Sequence, residues 1–112
     1  MGLDNYWRTE DGQPATIEGN FRICGGICSG NGHDSFRGQV YSSVVEAITG
    51  ISLYEDNLEP HVIDDMNDKI QECPYDEAKN YSQYGLSEEE WKDFKTMWDA
   101  HARAGHSLTS WW

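Results

Sequence analysis

Basic residues are scarce in this sequence, which has 8 Lys and Arg against 20 Asp and Glu and a formal net charge of −12. Most of the excess lies in residues 55–112, where 14 acidic residues accompany 5 basic ones. Binding to nucleic acid depends largely on Lys and Arg that neutralise phosphates, so no direct nucleic-acid binding is expected. The same charge disfavours an anionic membrane surface. A basic surface of a partner protein fits this charge better.

Cysteines are few and odd in number, namely Cys24, Cys28 and Cys73. The first residues of the chain do not form a basic and then apolar signal segment. Together these features favour reduced thiols and a cytoplasmic location. The sequence also lacks a run of ~18 apolar residues, so no membrane-spanning segment is expected.

Aliphatic side chains are sparse as well, and aromatic ones take their place. The hydrophobic fraction is 38%, but five Trp, six Tyr and three Phe are present. Each buried Trp or Tyr removes roughly 150–250 Å² from water, which offsets the shortage of aliphatic residues. A chain of 112 residues can build one core, so residues 1–112 are expected to form a single domain.

The clearest predicted element is a helix over about residues 88–104. Ser87 and Glu90 form a capping box, and Gly105 stands where a left-handed C-terminal cap belongs. Apolar residues recur at helical spacing between these two ends. They are Trp91, Phe94, Trp98 and Ala102.

Two further helices are predicted earlier in the chain. One starts at Pro60, which suits the first helical turn, and is ended by Pro74. The other runs from about Gln39 to Ile48, with Gly50 just beyond its end. Short strands are predicted at Leu3 to Trp7, Phe21 to Cys24 and Ser107 to Trp112. The pattern therefore predicts an α+β fold in which about three helices pack on a small antiparallel sheet of short strands.

The segment from Cys24 to Gly38 is unusual because five of its fifteen residues are glycine. A Gly-rich stretch before a helix can present several backbone N–H groups to an anion, and Ser and Arg side chains add donors. The segment is therefore a candidate site for a small anionic ligand. The candidate ligand-binding residues are Cys24, Gly25, Gly26, Ser29, Gly30, Gly32, His33, Ser35 and Arg37.

Three other interpretations of this segment remain open. It could be a compact loop in which Arg37 pairs with a surface acid and Ser35 or Asp34 caps the following helix. It could hold zinc through Cys24, Cys28 and His33, completed by Cys73, His61 or His106. The single Cys-x3-Cys spacing without a second ligand pair argues against this, so no metal and no other cofactor is expected. It could also supply a nucleophile, Cys24 or Ser29, with His33 as base.

Several aromatic, histidine and acidic residues also invite a functional interpretation. Tyr6, Trp7, Trp111 and Trp112 could form a platform for a base or a sugar, although packing in the core is the simpler interpretation. The pair His101 and His106 flanks a helix end, which favours a role in capping. A solvated helix face accounts for the acids Asp64, Asp65, Asp68, Glu72, Asp76 and Glu77.

Four segments of the sequence resemble a family of small uncharacterised proteins of bacteria and their phages. They are Met-Gly-Leu-Asp-x-Tyr at residues 1–6, Cys24-Gly25-Gly26 to Ser29-Gly30, Ser35-Phe36-Arg37-Gly38-Gln39-Val40-Tyr41 and Ile48-Thr49-Gly50-Ile51-Ser52-Leu53-Tyr54. Members of that family end in Gly-Trp-Trp or similar, whereas this chain ends in Thr109-Ser110-Trp111-Trp112. The resemblance implies an origin in a phage or mobile element. It implies no activity, since none is established for the family.

Three functional hypotheses follow from the sequence. The first is a non-enzymatic binding protein whose Gly-rich segment accepts a small anionic ligand. The second is an acidic, phage-type interaction protein that binds a basic partner surface, as a mimic of nucleic acid would. The third is a small hydrolase or transferase with Cys24 or Ser29 as nucleophile. Because the first hypothesis is the leading one, no residue is assigned a catalytic role from the sequence. The sequence also leaves the oligomeric state open.

Overall fold

The computed structural model describes residues 3–17 and 34–111. Four helices lie in these ranges: α1 (Gly38–Thr49), α2 (Pro60–Glu72), α3 (Tyr75–Tyr81) and α4 (Glu88–Arg103). Four strands accompany them: β1 (Asp4–Arg8), β2 (Ser35–Phe36), β3 (Asn57–Leu58) and β4 (Ser107–Trp111). The predicted α+β fold with helices on a small antiparallel sheet is confirmed.

The strands form one antiparallel sheet in the order β2-β1-β4-β3. Its two central strands come from the two ends of the described chain, and they pair from Asp4 opposite Trp111 to Arg8 opposite Ser107. Successive side chains alternate between the two faces of a strand. Trp7 and Leu108 therefore point into the core together with Leu58, while their neighbours face the other side. Helices α1 and α2 contact this buried face.

Helix α4 forms where its capping signals predicted it. The Ser87 hydroxyl accepts a hydrogen bond from the Glu90 amide at 3.1 Å, and the Glu90 carboxylate accepts one from the Ser87 amide at 3.2 Å. These bonds satisfy two backbone donors that a helix start otherwise leaves unpaired. The helix ends before Gly105, whose φ of 74° is the left-handed conformation expected there.

Helices α1 and α2 bury apolar stripes against α4 and the sheet. Helix α2 begins at Pro60 as predicted and ends two residues before Pro74. Helix α1 ends at Gly50, which has a φ of 76° and donates its amide to the Glu46 carbonyl. The buried residues of these two helices are Gly38, Val40, Tyr41, Val44, Val45, Thr49, Ile63, Met66 and Ile70.

Aromatic side chains dominate the core, and each buried indole N–H finds an acceptor. The Nε1 groups of Trp91 and Trp98 donate to the carbonyls of Cys73 and Ile63, at 2.9 and 3.1 Å. Trp7 Nε1 donates to Met97 Sδ at 3.3 Å. Because a buried polar group without a partner destabilises the fold, these bonds allow the large rings to be fully buried.

Some elements were not visible in the sequence. Helix α3 buries only Ala78, so it has no apolar stripe that periodicity could detect. Strands β2 and β3 have two residues each, which is too short for an alternating pattern. The strand predicted at Phe21 to Cys24 lies outside the described residues. Across the described ranges, none of the helices combines the length and apolar character needed to cross a bilayer.

Candidate functional site

A buried carboxylate is the most distinctive polar feature of the described structure. The side chain of Asp34, just before β2, has no exposed surface. Its carboxylate receives hydrogen bonds from the Thr16 hydroxyl and the Ile17 amide, both at 3.0 Å, and from His101 Nε2 at 2.9 Å. The Thr16 hydroxyl and the Ile17 amide are donors, and His101 donates through Nε2 in the tautomer that suits an ionised, acceptor-only carboxylate.

His101 lies in the last turn of α4 and is also fully buried. Its ring stacks on Trp7, with centroids 4.2 Å apart and planes 4° from parallel. The second ring nitrogen of His101, Nδ1, lies 2.7 Å from Nδ1 of His106. His106 immediately precedes β4 and is half-buried. The three residues Asp34, His101 and His106 thus form a hydrogen-bonded array that runs from the core toward the surface.

The array fixes the tautomers of both neutral imidazoles. If His101 donates through Nε2 to the Asp34 carboxylate, its Nδ1 has no proton and can only accept. His106 must then carry its proton on Nδ1 and donate it to His101. The remaining nitrogen of His106, Nε2, is left as an unprotonated base.

Burial keeps both rings neutral at neutral pH. It lowers the pKa of His101 to about 3, and the charge that His106 takes up when protonated acts in the same direction. Burial also lowers the pKa of His106, although the negative charge of Asp34 opposes this shift. A buried ring resists protonation because the charged form loses its hydration. At pH 7 the array therefore offers a free base at His106.

A helix C-terminal motif brings the two histidines together. The amide of His106 donates to the His101 carbonyl at 3.1 Å, and the amide of Gly105 donates to the Ala102 carbonyl at 3.1 Å. These two bonds define a Schellman motif, in which the residues at the positions of His101 and His106 usually make an apolar contact. Here that contact joins two imidazole rings. The expected capping by cationic imidazole side chains is not seen, because the rings bond to each other and to Asp34, whereas the backbone amide of His106 does take part in the cap.

No protein-family model matches this chain, and no curated protein or solved structure does.

Two of the predicted ligand-binding residues lie in the described structure. Ser35 is in β2, and Arg37 is the N-cap residue of α1, where its guanidinium lies 3.8 Å from the Asp4 carboxylate. Both side chains of this ion pair are about half-exposed. Cys24, Gly25, Gly26, Ser29, Gly30, Gly32 and His33 lie outside the described residues, so the proposed Gly-rich anion site as a whole stays a prediction.

The start of α1 agrees with the compact-loop interpretation in the ion pair between Arg37 and the surface acid Asp4, but not in the capping of the helix. No side chain caps this helix, so Ser35 and Asp34 do not have the capping role considered for them. Among its first amides, Gln39 donates to the Leu3 carbonyl at 3.2 Å and Val40 to the Arg37 carbonyl at 3.1 Å. Both amides therefore already donate hydrogen bonds to backbone carbonyls of the protein.

The other candidates behave as ordinary parts of the fold. Cys73 is a free, buried thiol. Its pKa is raised, first by burial and second by the negative charge of Glu77. The acids expected on a solvated helix face are all exposed, namely Asp64, Asp65, Asp68, Glu72, Asp76 and Glu77. In residues 3–17 and 34–111 no group of three His, Cys, Asp or Glu side chains is arranged to hold a metal ion. The acidic interaction surface stays a prediction.

Proposed function

We propose that the protein is an enzyme of hydrolase or group-transfer type in which His106 is the general base. The observation that carries this proposal is the 2.7 Å contact between the Nδ1 atoms of His106 and His101, together with the bond from His101 to Asp34. A base whose second nitrogen is oriented by a hydrogen-bonded partner is the arrangement that general-base catalysis uses.

In the proposed reaction His106 takes a proton at Nε2 from a hydroxyl, a thiol or a water molecule. It then carries a positive charge, with its Nδ1 proton still shared with His101. The Asp34 carboxylate raises the pKa of His106, so it stabilises the charged ring that forms in the transition state. His101 and Asp34 act as positioning residues, because they hold the base without touching the substrate.

Burial of these groups supports a functional role. In many proteins a buried ionisable pair can be replaced by apolar residues without loss of stability. Stability alone therefore does not account for Asp34 and His101, which are both fully buried. Ionisable groups with strongly shifted pKa values are concentrated at active sites. The low pKa of His101, about 3, is consistent with such a site and supports the proposal.

Cys24 and Ser29 are the proposed nucleophiles, with water as the alternative. The described chain stops at Ile17 and resumes at Asp34, and these two residues are bonded to each other at 3.0 Å. The described residues that flank Cys24 and Ser29 in the sequence, Ile17 and Asp34, therefore both lie at the array. The position of these flanking residues supports Cys24 and Ser29 as the proposed nucleophiles.

The test measures hydrolysis of p-nitrophenyl acetate and p-nitrophenyl phosphate by the full chain and by His106→Asn. The Asn amide can still donate to His101 Nδ1 but has no group in place of the basic Nε2. We expect kcat/KM to fall about 10²- to 10⁴-fold, the usual contribution of a general base. Cys24→Ser and Ser29→Ala then distinguish the two nucleophiles from water.

His61→Asn is the matched control, because His61 is an exposed histidine whose side chain is 73% accessible. We expect it to leave the rate unchanged, which excludes simple imidazole catalysis at the surface. Equal rates for His106→Asn and the unmodified chain would contradict the proposed base.

The free thiol of Cys73 supports the cytoplasm as the place where this enzyme acts. Reduced cysteines are the normal state of thiols in that compartment.

A further inference from the structure

The face of the sheet opposite the core carries the aromatic residues Tyr6 and Trp111, with the basic Arg8 and the acidic Asp4. Directly opposed residues of antiparallel strands share a face. The register places Tyr6 opposite Thr109, Asp4 opposite Trp111 and Arg8 opposite Ser107. Because Trp7 and Leu108 are buried in the core, these alternate residues point away from it. Ser35, a predicted ligand-binding residue, lies on the same face opposite Tyr6 in β2.

This face contains a shallow pocket of about 240 Å³. Its lining residues are Tyr6, Arg8, Thr109, Ser110 and Trp111. Trp111 is 70% exposed, the highest value among the large hydrophobic residues of the described chain. A flat indole that is mostly open to solvent offers a stacking surface to a planar ring.

Arg8 is the basic residue among those that line this pocket. Its Nη1 donates to the Gly12 carbonyl at 3.0 Å. Within residues 3–17 and 34–111, no carboxylate forms an ion pair with it. In a chain with 20 acidic and 8 basic residues, this leaves a guanidinium available to an anionic group. Guanidinium binds phosphate through paired, charge-assisted hydrogen bonds.

The spacing of these groups decides the kind of ligand. Trp111 lies opposite Asp4, and Ser107 lies opposite Arg8, so four residue steps, or ~13 Å, separate the stacking position from the arginine along the strands. Side chains from both ends reach into one pocket. A ring and an anion joined by a spacer fit this geometry better than an aromatic acid in which the two groups are adjacent.

We propose that this pocket binds a nucleoside monophosphate, with the base stacked on Trp111 and the phosphate on Arg8. The sugar then lies over Tyr6 and Thr109. A single phosphate suits a small pocket in an acidic protein, whereas a nucleic-acid strand would meet repulsion along its length. The lining of this pocket does not include Asp34, His101 or His106.

Isothermal titration calorimetry of the full chain tests the proposal with AMP, adenosine and inorganic phosphate at low salt. We expect AMP to bind about tenfold or more tightly than adenosine, because the phosphate adds charge-assisted bonds. Arg8→Gln should remove that difference and leave the affinity for adenosine unchanged. Trp111→Ala should weaken both ligands about 5- to 150-fold, the range measured for stacking of one base.

Tyr84→Ala is the control for the aromatic substitution, because Tyr84 is 51% exposed but lies outside this face. It should leave both affinities unchanged. Arg8→Lys keeps the charge but not the paired donors, so it should bind AMP more weakly than the unmodified chain. Equal affinities for AMP and adenosine, or no heat with AMP at millimolar concentration, would overturn the proposal.

Discussion

Trp7 and His101 stack almost parallel, with ring centroids 4.2 Å apart and neither side chain exposed. The indole covers one face of the imidazole and so excludes water from it. This contact joins the central strand β1 to the last turn of α4. It therefore links the packing of the core to the protonation of the array.

Replacement of Trp7 by Leu should raise the pKa of His101 from about 3 toward its ordinary value, because water reaches the ring. The substitution should also lower the free energy of unfolding by about 2–4 kcal/mol. Histidine NMR titration and urea denaturation measure the two effects. Trp91→Leu is the control, because Trp91 stacks on Phe94 and not on His101. It should reduce stability and leave the His101 pKa low; a rise of equal size in both variants would contradict the role of Trp7.

Stability should fall as the pH is lowered below 6.5. Burial lowers the pKa of both His101 and His106 in the folded protein, so the unfolded chain binds more protons in this range. Each such histidine then contributes a slope of up to about 1.4 kcal/mol per pH unit. For His101 this range extends down to about 3.

His101→Gln isolates this effect, because the Gln amide can still donate to Asp34 but does not titrate. Between pH 7 and pH 5 the unmodified chain should lose about 2 kcal/mol more of its unfolding free energy than this variant. Chemical denaturation at the two pH values provides the comparison. Identical losses in the two proteins would show that His101 is not buried in its neutral form.

Gly38→Ala should destabilise the fold by about 1–3 kcal/mol through overpacking. A Cβ at this position would overlap the buried side chain of Asn5 and lie 2.8 Å from Leu3 Cδ2. Asn5 cannot easily move away, since its Nδ2 donates to the Leu53 carbonyl at 3.1 Å. Thermal unfolding measures the change. Glu46→Ala, at an exposed position of α1, should stay within about 0.5 kcal/mol, and a Gly38→Ala variant as stable as this control would contradict the close packing.

Local sequence signals predicted α1, α2 and α4 well because the signals are themselves local. The capping box at Ser87 and the glycine at position 105 defined α4 to within one residue of its observed end. The same glycine could have revealed the histidine pair. A Schellman motif usually brings the residues at positions 101 and 106 into contact, so two histidines there indicate that their rings lie close together.

The rest of the candidate site could not be predicted in this way. Asp34 bonds to His101 across 67 residues of sequence, and no periodicity relates the two positions. The role of Arg8 and Trp111 depends on strand register, which the short strands did not reveal. The Gly-rich segment attracted attention through composition alone, and most of it lies outside the described residues.

The measurement that tests the general-base proposal most directly is long-range ¹H–¹⁵N NMR of the histidine rings at pH 7. We expect His101 to carry its proton on Nε2 and His106 on Nδ1, with Nε2 of His106 unprotonated. A proton on Nε2 of His106 would contradict the account, whether Nδ1 is unprotonated or protonated as well. It would mean that Nε2 of His106 cannot accept a proton at neutral pH.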